Sequence, residues 1–316
     1  MNAAERKKIY ADLCQQGKIT KLFMQSWWLD ATGPWEAALA VRNDRVVGAM
    51  PFVAGRRWGI KTIGLPPLTH HSGIWMDRPI DITPHKWLTR EKQTIWLLIE
   101  DLPKYGFFSM VFDEDSFDNW LPFHWKGFRQ EMRYTFVLDQ KDEKEIDERI
   151  NSSFKKKLRK ASDALIIKRD IDPKTFYDVC SKTYIRQKIK SPYSFETFLS
   201  LDQAITKNHA GIKFGAYTPD GKLIAVSSLV WDKDKAYYYL SGDTDEGREQ
   251  DASLFLCREA IRIAFEERGV KTFDFCGSMI EPITEIRRQF GARSVGLMKI
   301  VKSNYKLLDV LYSLTR

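Results

Sequence analysis

One order of elements is written twice in this chain, and that repetition limits the fold more than any single motif. From Ala236 to Val301 the sequence reads as strand (AYYYLSG), loop (DTDEGREQD), amphipathic helix (ASLFLCREAIRIAFEERG), strand (VKTFDFCGS), short helix (PITEIRRQFG) and strand (ARSVGLMKIV). A weaker copy comes earlier: helix TPHKWLTREKQTIWLLIEDLPKYG, strand FFSMVFD, short helix FDNWLPFHWKGF and strand QEMRYTFVLD. Such self-similarity predicts one βαβαβ plan used twice. The 316 residues leave room for two domains of that plan, since domains run to roughly 150 residues each.

The first half opens with helical segments around 3–16 and 20–30, then a hairpin, EAALAVRNDRVVGAMPFVAGRR, turning at Asn43-Asp44. A Gly/Pro/His-rich stretch, GLPPLTHHSGIWMD, precedes a helix over 84–104. Thr83 is its expected N-cap, Pro84 its first residue, and Leu88, Ile95, Leu98 and Leu102 its inward stripe. The charged run DQKDEKEIDE at 139–148 marks a boundary, so the expected domains are 1–140 and 141–316, with a last helix, 303–316, placed to pack back on the first. Ile146, Ile150, Phe154, Leu158 and Ala161 then form the buried stripe of a helix. Its first turns are acidic (Asp142, Glu143, Glu145) and its last turns basic (Lys155, Lys156, Lys157, Arg159, Lys160). The second half continues with strand ALIIKRDI, helices DPKTFYDVCSKTYIRQ and SFETFLSLDQAITKN, and strands GIKFGAYT, KLIAVSSLVW and KAYYYLSG joined by hairpin turns.

No window approaches the roughly 18 unbroken apolar residues of a membrane span. The N-terminal MNAAERKKIYADL has no apolar signal core. Cys14, Cys180, Cys257 and Cys276 are scattered, with no CxxC and no metal spacing, which predicts reduced thiols and no metal site. A cytoplasmic protein is expected, with the inner face of the membrane left open. The net charge of +8 suits an anionic partner: a CoA or nucleotide phosphate, a lipid-linked pyrophosphate, tRNA or an anionic membrane face. GxSxG, HExxH, Walker A and kinase motifs are missing, which removes support from serine hydrolase, zinc protease and NTPase readings.

The order of the second half (strand, two helices, three-stranded meander, helix, strand, helix, strand) resembles the GNAT N-acyltransferase fold. A doubled GNAT plan with the basic helix INSSFKKKLRKAS between its copies resembles the FemAB-like acetyltransferases, relatives of the Fem peptidyltransferases. The residues that carry the resemblance are YYYLSGDTDEGREQDASLFLCREAI, FDFCGSMIEPITEIRRQFGA and VVGAMPFVAGRR. It implies an α/β (α+β) fold of two tandem GNAT-like (acyl-CoA N-acyltransferase) domains, mixed sheets flanked by helices. It also implies an acyltransferase, moving an acyl group from an activated donor, acyl-CoA, to an amine of a cell-envelope or polysaccharide precursor. No tightly bound cofactor is implied. Two other functions stay open: an aminoacyl-tRNA-dependent transferase of peptidoglycan-bridge type, and a catalytically silent scaffold that binds a precursor.

The resemblance places a phosphate loop at REQDASLFL. Such a loop needs small residues so that backbone N–H groups reach a pyrophosphate at a helix N-terminus. Arg248, Ala252 and Ser253 suit donor binding. Asp251 stands where the family carries glycine, either as N-cap of helix 252–268 or as a carboxylate opposing the phosphate. GNAT-like sites hold the donor on the splayed strand before this loop, which adds Tyr239, Ser241 and Gly242; β-propensity alone also accounts for the tyrosines. Alternation puts Tyr237 and Tyr239 on one face and Tyr238 on the other.

Asp274, between two Phe, must be paired, hydrogen-bonded or raised in pKa. It is read as a catalytic base or orienter of the amine, or as the ion-pair partner of Arg287 or Arg288. Arg287 stands where some Fem enzymes carry a lysine. Arginine does not deprotonate, so a catalytic Arg287 is expected to stabilise a carbonyl or phosphate electrostatically. His70, Lys157, Arg159 and Arg288 complete the set as substrate-binding residues, His70 beside a His71 that must point the other way. The five cations of the basic helix either complement its dipole or contact phosphate. A small anionic donor is expected ahead of tRNA, because no broad basic and aromatic surface is evident.

Overall fold

The structure, a computed structural model, describes residues 1–140, 146, 148, 150, 152–277 and 279–305. Two compact units emerge: Met1–Arg133 together with the segment from Gly296, and Tyr134–Val295.

The first unit begins with α1 (Ala3–Gln15), where Asn2 and Glu5 form a capping box, and α2 (Ser26–Thr32). Strands β1 (Glu36–Arg42), β2 (Arg45–Arg57) and β3 (Ile60–Gly64) form an antiparallel meander, and a two-residue β4 (Trp75–Met76) also pairs with β2. The first hairpin turns at Asn43 and Asp44, both at positive φ (48° and 58°), as a tight two-residue turn demands. Helix α3 (Pro84–Glu100) follows, then β5 (Phe107–Phe112), parallel to β3, and α4 (Trp120–Trp125). Ile95 and Leu98 of α3 are fully buried, whereas Leu88 is exposed; the helix's buried face starts at Glu91, one turn later than expected. Thr83 occupies the N-cap position without a side-chain capping bond.

The second unit holds α5 (Ser152–Ala164), β7 (Ile166–Arg169), α6 (Pro173–Arg186) and α7 (Phe195–Lys207). Its antiparallel meander is β8 (Gly211–Tyr217), β9 (Leu223–Trp231) and β10 (Lys235–Asp243). Then come α8 (Asp245–Glu249), α9 (Ala252–Arg262), a π-helical turn (Ile263–Glu267), β11 (Thr272–Asp274), parallel to β10, and α10 (Glu281–Gln289). Ile146, Ile150, Phe154 and Ala161 are buried, as their spacing predicted. The acidic turns expected at Asp142, Glu143 and Glu145 and most of the expected tail helix lie outside the described residues.

Each half thus repeats meander, helix, parallel strand and short helix. The strand that ends each half is exchanged. β6 (Arg129–Asp139) pairs antiparallel with β11 through Asp139, Leu138 and Val137. β12 (Arg293–Ser303) pairs antiparallel with β5 through Met298 to Ser303. Chain order predicts domains of 1–140 and 141–316. The compact units divide at 133/134 and 295/296 instead, because each final strand takes its rungs from the other half's sequence.

The unit containing α5 and α10 is stitched by aromatics. Phe154 meets Phe290 edge-on at 5.1 Å, Phe290 lies 5.9 Å from Phe275, and Phe275 meets Phe273 edge-on at 4.9 Å. Such pairs contribute about 0.5–1.5 kcal/mol each beyond their burial. This chain of rings fixes α5 and α10 against β11, next to Asp274. Among the described residues no helix is long and apolar enough to cross a membrane, and all four cysteines are free thiols.

Candidate active site

Strands β10 and β11 pair for three rungs, ending at Tyr237 and Asp274. β10 runs on to Asp243 beyond its parallel partner, and its register against β9 shifts between Tyr238 and Ser241. Ser228 holds that irregularity: its Oγ accepts the Leu240 N–H (3.1 Å) and donates to the Leu240 carbonyl (3.3 Å). The tyrosines alternate as predicted. Tyr238 shares a 2.6 Å hydrogen bond with Ser227 on one face. Tyr239 is buried on the other, toward Tyr193 and Tyr184, and burial pushes its hydroxyl well up.

Gly242 serves packing. A Cβ there would lie 2.6 Å from Cys180 Cα and 2.8 Å from the Val179 carbonyl, so only glycine lets α6 cross β10 this closely. Ser241 is exposed at the end of the same strand.

Asp274 is 1% exposed. Its Oδ1 accepts hydrogen bonds from the Thr135 hydroxyl and, at 2.8 Å, from the Cys276 N–H. Thr135 Oγ1 in turn accepts the Gly277 N–H at 2.8 Å. The carboxylate therefore clamps the sharp exit of β11, where Cys276 and Gly277 both have positive φ (57° and 61°). The partner expected from sequence was Arg287 or Arg288, but Arg288 pairs weakly with Glu285 (3.7 Å). No ion pair among the described residues joins Asp274 to either arginine.

Arg287 lies 6.0 Å over the Phe275 ring, and its Nη1 is buried with no hydrogen-bond partner among the described residues. Burial pulls its pKa below the ordinary value, against the field of Cys276, Cys257, Asp274 and Tyr238. Burial likewise pushes the Cys276 thiol well up; Asp274 adds to that rise and Arg287 opposes it.

The loop expected to cradle phosphate is already occupied by carboxylates. Asp243 Oδ2 accepts from Ser253 Oγ (3.0 Å), while its Oδ1 faces Arg248 (3.3 Å) and Arg186 (3.4 Å). Arg248 also pairs with Asp245, the first cause of its raised pKa. Ala252 is buried at the start of α9. Asp251 stands at the N-cap position in a left-handed conformation (φ 53°) that suits the glycine it replaces, and its side chain caps nothing. Instead Asp251 meets Lys157 at 3.5 Å. Lys155, Lys156 and Lys160 are exposed, and Arg159, 86% exposed, makes only a 3.9 Å contact with Asp163. His70 belongs to the first unit, exposed beside Phe23, while His71 is buried edge-on to the same ring at 4.9 Å.

Sequence reasoning missed Thr135 and Asp243. Thr135 had a signal, since it is the one aliphatic hydroxyl in the run YTFVLD, opposite a lone carboxylate in TFDF. Also missed was a cavity of about 580 Å³ on the α6–α7 side of the sheet, which reaches Tyr239 and Leu240.

The domain described as Acetyltransferase (GNAT) domain matches residues 149–281. Among curated proteins none matches this sequence. Among solved structures, FemX superposes with a TM-score of 0.66 at 13% identity, over 98% of this chain and 98% of FemX. L-PGS from Bacillus licheniformis gives 0.57 at 12% identity, over 99% of this chain and 96% of that one. A tandem GNAT protein from the clavulanic acid biosynthesis pathway gives 0.53 at 10% identity, over 96% of each chain. With its meander, parallel strand and short helix present in both halves, the chain has the FemAB-like fold of two GNAT modules in tandem.

Proposed function

We propose that this protein is an N-acyltransferase whose reaction takes place where β10 outruns β11. That strand geometry carries the reading: it leaves the edge of β10 from Tyr238 to Asp243 beyond its parallel partner, in the unit that matches the GNAT acetyltransferase domain. The donor is an acyl-CoA lying along Tyr239, Ser241 and Gly242, with its phosphates toward Arg248, Ala252 and Ser253. The acceptor is an amine of a cell-envelope or polysaccharide precursor, the class that the Fem resemblance implies. The amine nitrogen bonds to the acyl carbon, the carbon–sulfur bond breaks, and the departing thiolate takes up the proton released from nitrogen. Such transfer rests on positioning and on stabilising the oxyanion. Arg287, whose buried Nη1 has no hydrogen-bond partner among the described residues, is assigned the oxyanion. Asp274 is assigned positioning, because proton abstraction would require its carboxylate to leave Thr135 and Cys276.

One observation favours a second donor. Arg248, Arg186 and Lys157 already face Asp243, Asp245 and Asp251, so a CoA pyrophosphate must displace carboxylates. An aminoacyl-tRNA ester needs no such loop, and Lys155, Lys156, Arg159 and Lys160 are exposed to meet its phosphates. Calorimetry with acetyl-CoA, beside tRNA titrations at low and high salt, separates the donors. Thiol release from acetyl-CoA with an amine panel, at least 100-fold slower in Arg287→Ala, supports the first reading. A steep salt dependence with tRNA and no acetyl-CoA binding replaces it with the second. No binding of either leaves the silent scaffold.

A further inference from the structure

We infer that the cavity beside Tyr239 is the acceptor pocket, and that it takes an amphoteric, amino-acid-like amine on an apolar body. This rests on the transferase reading above and adds the chemical class of the acceptor.

The cavity, about 580 Å³, is bounded by the start of α6, the inner side of α7 and strands β8, β9 and β10. That size suits a small molecule, since ligand pockets usually hold 300–1,000 Å³. Its wall carries an ion pair: Lys213 Nζ meets Asp202, with side chains only 16% and 11% exposed. A buried pair costs desolvation that a hydrophobic pair would avoid, so a polar ligand is a reason to keep one on a cavity wall.

The other charges divide by position. Asp170 and Asp172 line the side formed by the start of α6, and the field of Lys213 helps to hold the Asp172 carboxyl below its usual range, behind its bonds to Thr175. Arg268 lines another side, its guanidinium stacked 4.5 Å over Trp231. Three carboxylates against Lys213 and Arg268 oppose any polyphosphate, so the CoA moiety of the donor is excluded from this cavity. The same set suits a ligand with one ammonium and one carboxylate. Between the charged groups, Phe198, Trp231 and Tyr239 supply apolar and aromatic wall. Tyr239 and Leu240 belong to the segment of β10 that runs past β11, so this pocket and the transfer strand share residues.

The test uses the full chain and one dipeptide in three forms: Phe-Gly, its C-terminal amide and its N-acetyl derivative. Calorimetry should show the free dipeptide binding at least tenfold more tightly than either capped form. Thr206→Trp, which fills the exposed rim from α7, should weaken it tenfold or more. The paired change Asp202→Asn with Lys213→Gln, which keeps a hydrogen bond while removing both charges, should abolish the preference for the uncapped form. Equal binding of the three forms, or binding untouched by Thr206→Trp, overturns the inference. So does a wild-type protein that binds none of them. Acetyl-CoA binding is measured in parallel. If acetyl-CoA binds and the dipeptides do not, this inference fails and the transferase reading stands. If Phe-Gly binds with the predicted preference while acetyl-CoA and tRNA do not, the pocket stands and the transferase reading fails.

Discussion

In each unit the parallel strand pair is short: two rungs between β3 and β5, three between β10 and β11. Where the first pair ends, the unit inserts its own backbone. Ser72 N–H donates to the Val111 carbonyl at 2.9 Å, and Asp113 N–H donates to the Ser72 carbonyl at 2.9 Å, forming an isolated parallel bridge to Phe112. Where the second pair ends, β10 continues with no strand of the described residues on that side. Backbone donors and acceptors must find partners. The first unit therefore continues the edge of β5 with its own backbone at Ser72, whereas past Tyr237 no strand of the described residues pairs with β10 on its β11 side. Under the proposed function, one plan used twice keeps one copy for structure and the other for chemistry.

The strand-end carboxylates sharpen this contrast. Asp113 follows β5 and accepts from the Ser116 N–H (3.0 Å), the Ser116 hydroxyl (2.8 Å) and Lys21. Asp274 ends β11 and accepts from Cys276 and Thr135. Replacing either with Ala strands buried donors, at about 1–3 kcal/mol each, so both variants should lose about 2–4 kcal/mol. Hydrogen exchange by peptide should place the Asp113→Ala loss in β5 and the Asp274→Ala loss in β11 and β6. Donor affinity in folded protein should then fall tenfold or more only for Asp274→Ala. If Asp113→Ala instead abolishes donor binding, the roles of the two units are reversed.

A smaller effect tests the loop. Asp251 holds a left-handed backbone that costs a non-glycine residue about 1–2 kcal/mol. Glycine removes that strain and regains a comparable entropy in the unfolded chain, so Asp251→Gly should change stability by less than about 1 kcal/mol. It also deletes a carboxylate and releases Lys157. Acetyl-CoA affinity should rise about tenfold, near 1.4 kcal/mol, the scale of one charge-assisted bond. Unchanged or weaker affinity in calorimetry places the pyrophosphate elsewhere and favours the ester donor.

The doubled order was legible because helices, turns and apolar runs are local. Asn43-Asp44, the α5 stripe and the tyrosine alternation all follow from spacing. The exchange of β6 and β12 was not, because each is an apolar strand after a short helix and a glycine turn. Nothing local says which sheet receives it. Arg248 looked like a phosphate ligand, yet Asp243 and Asp245 stand five and three residues before it and claim its guanidinium first. Asp274 was correctly expected to need a partner, but Thr135 lies 139 residues away, beyond any pattern of spacing. The cavity was invisible for the same reason: Asp202 and Lys213 sit on a helix and a strand that only the tertiary fold brings together.

The smallest effect concerns how each unit fastens a helix end. In the first, Asp101 after α3 meets Arg6 at 2.9 Å and accepts the Leu39 N–H at 2.9 Å. In the second, Glu267 after α9 meets Arg262 at 2.6 Å and Arg169 of β7, tying the helix end to the edge strand. Hydrogen bonds from Arg169, then Arg262, hold the Glu267 carboxyl down at about 2, against an ordinary value of 4.5. A depressed folded pKa stabilises above the unfolded value, so this contribution is complete above pH 4.5 and fades as pH falls toward 2. The group is partly exposed, and exposed pairs contribute about 1 kcal/mol or less. Glu267→Gln should therefore lower stability slightly at pH 6 and leave it unchanged near pH 2, with the gap closing between. Exchange protection at the β7 edge measures it. A gap that persists at pH 2 would mean that Glu267 acts through packing rather than charge, and the second unit's edge would then be held no differently in acid from the first.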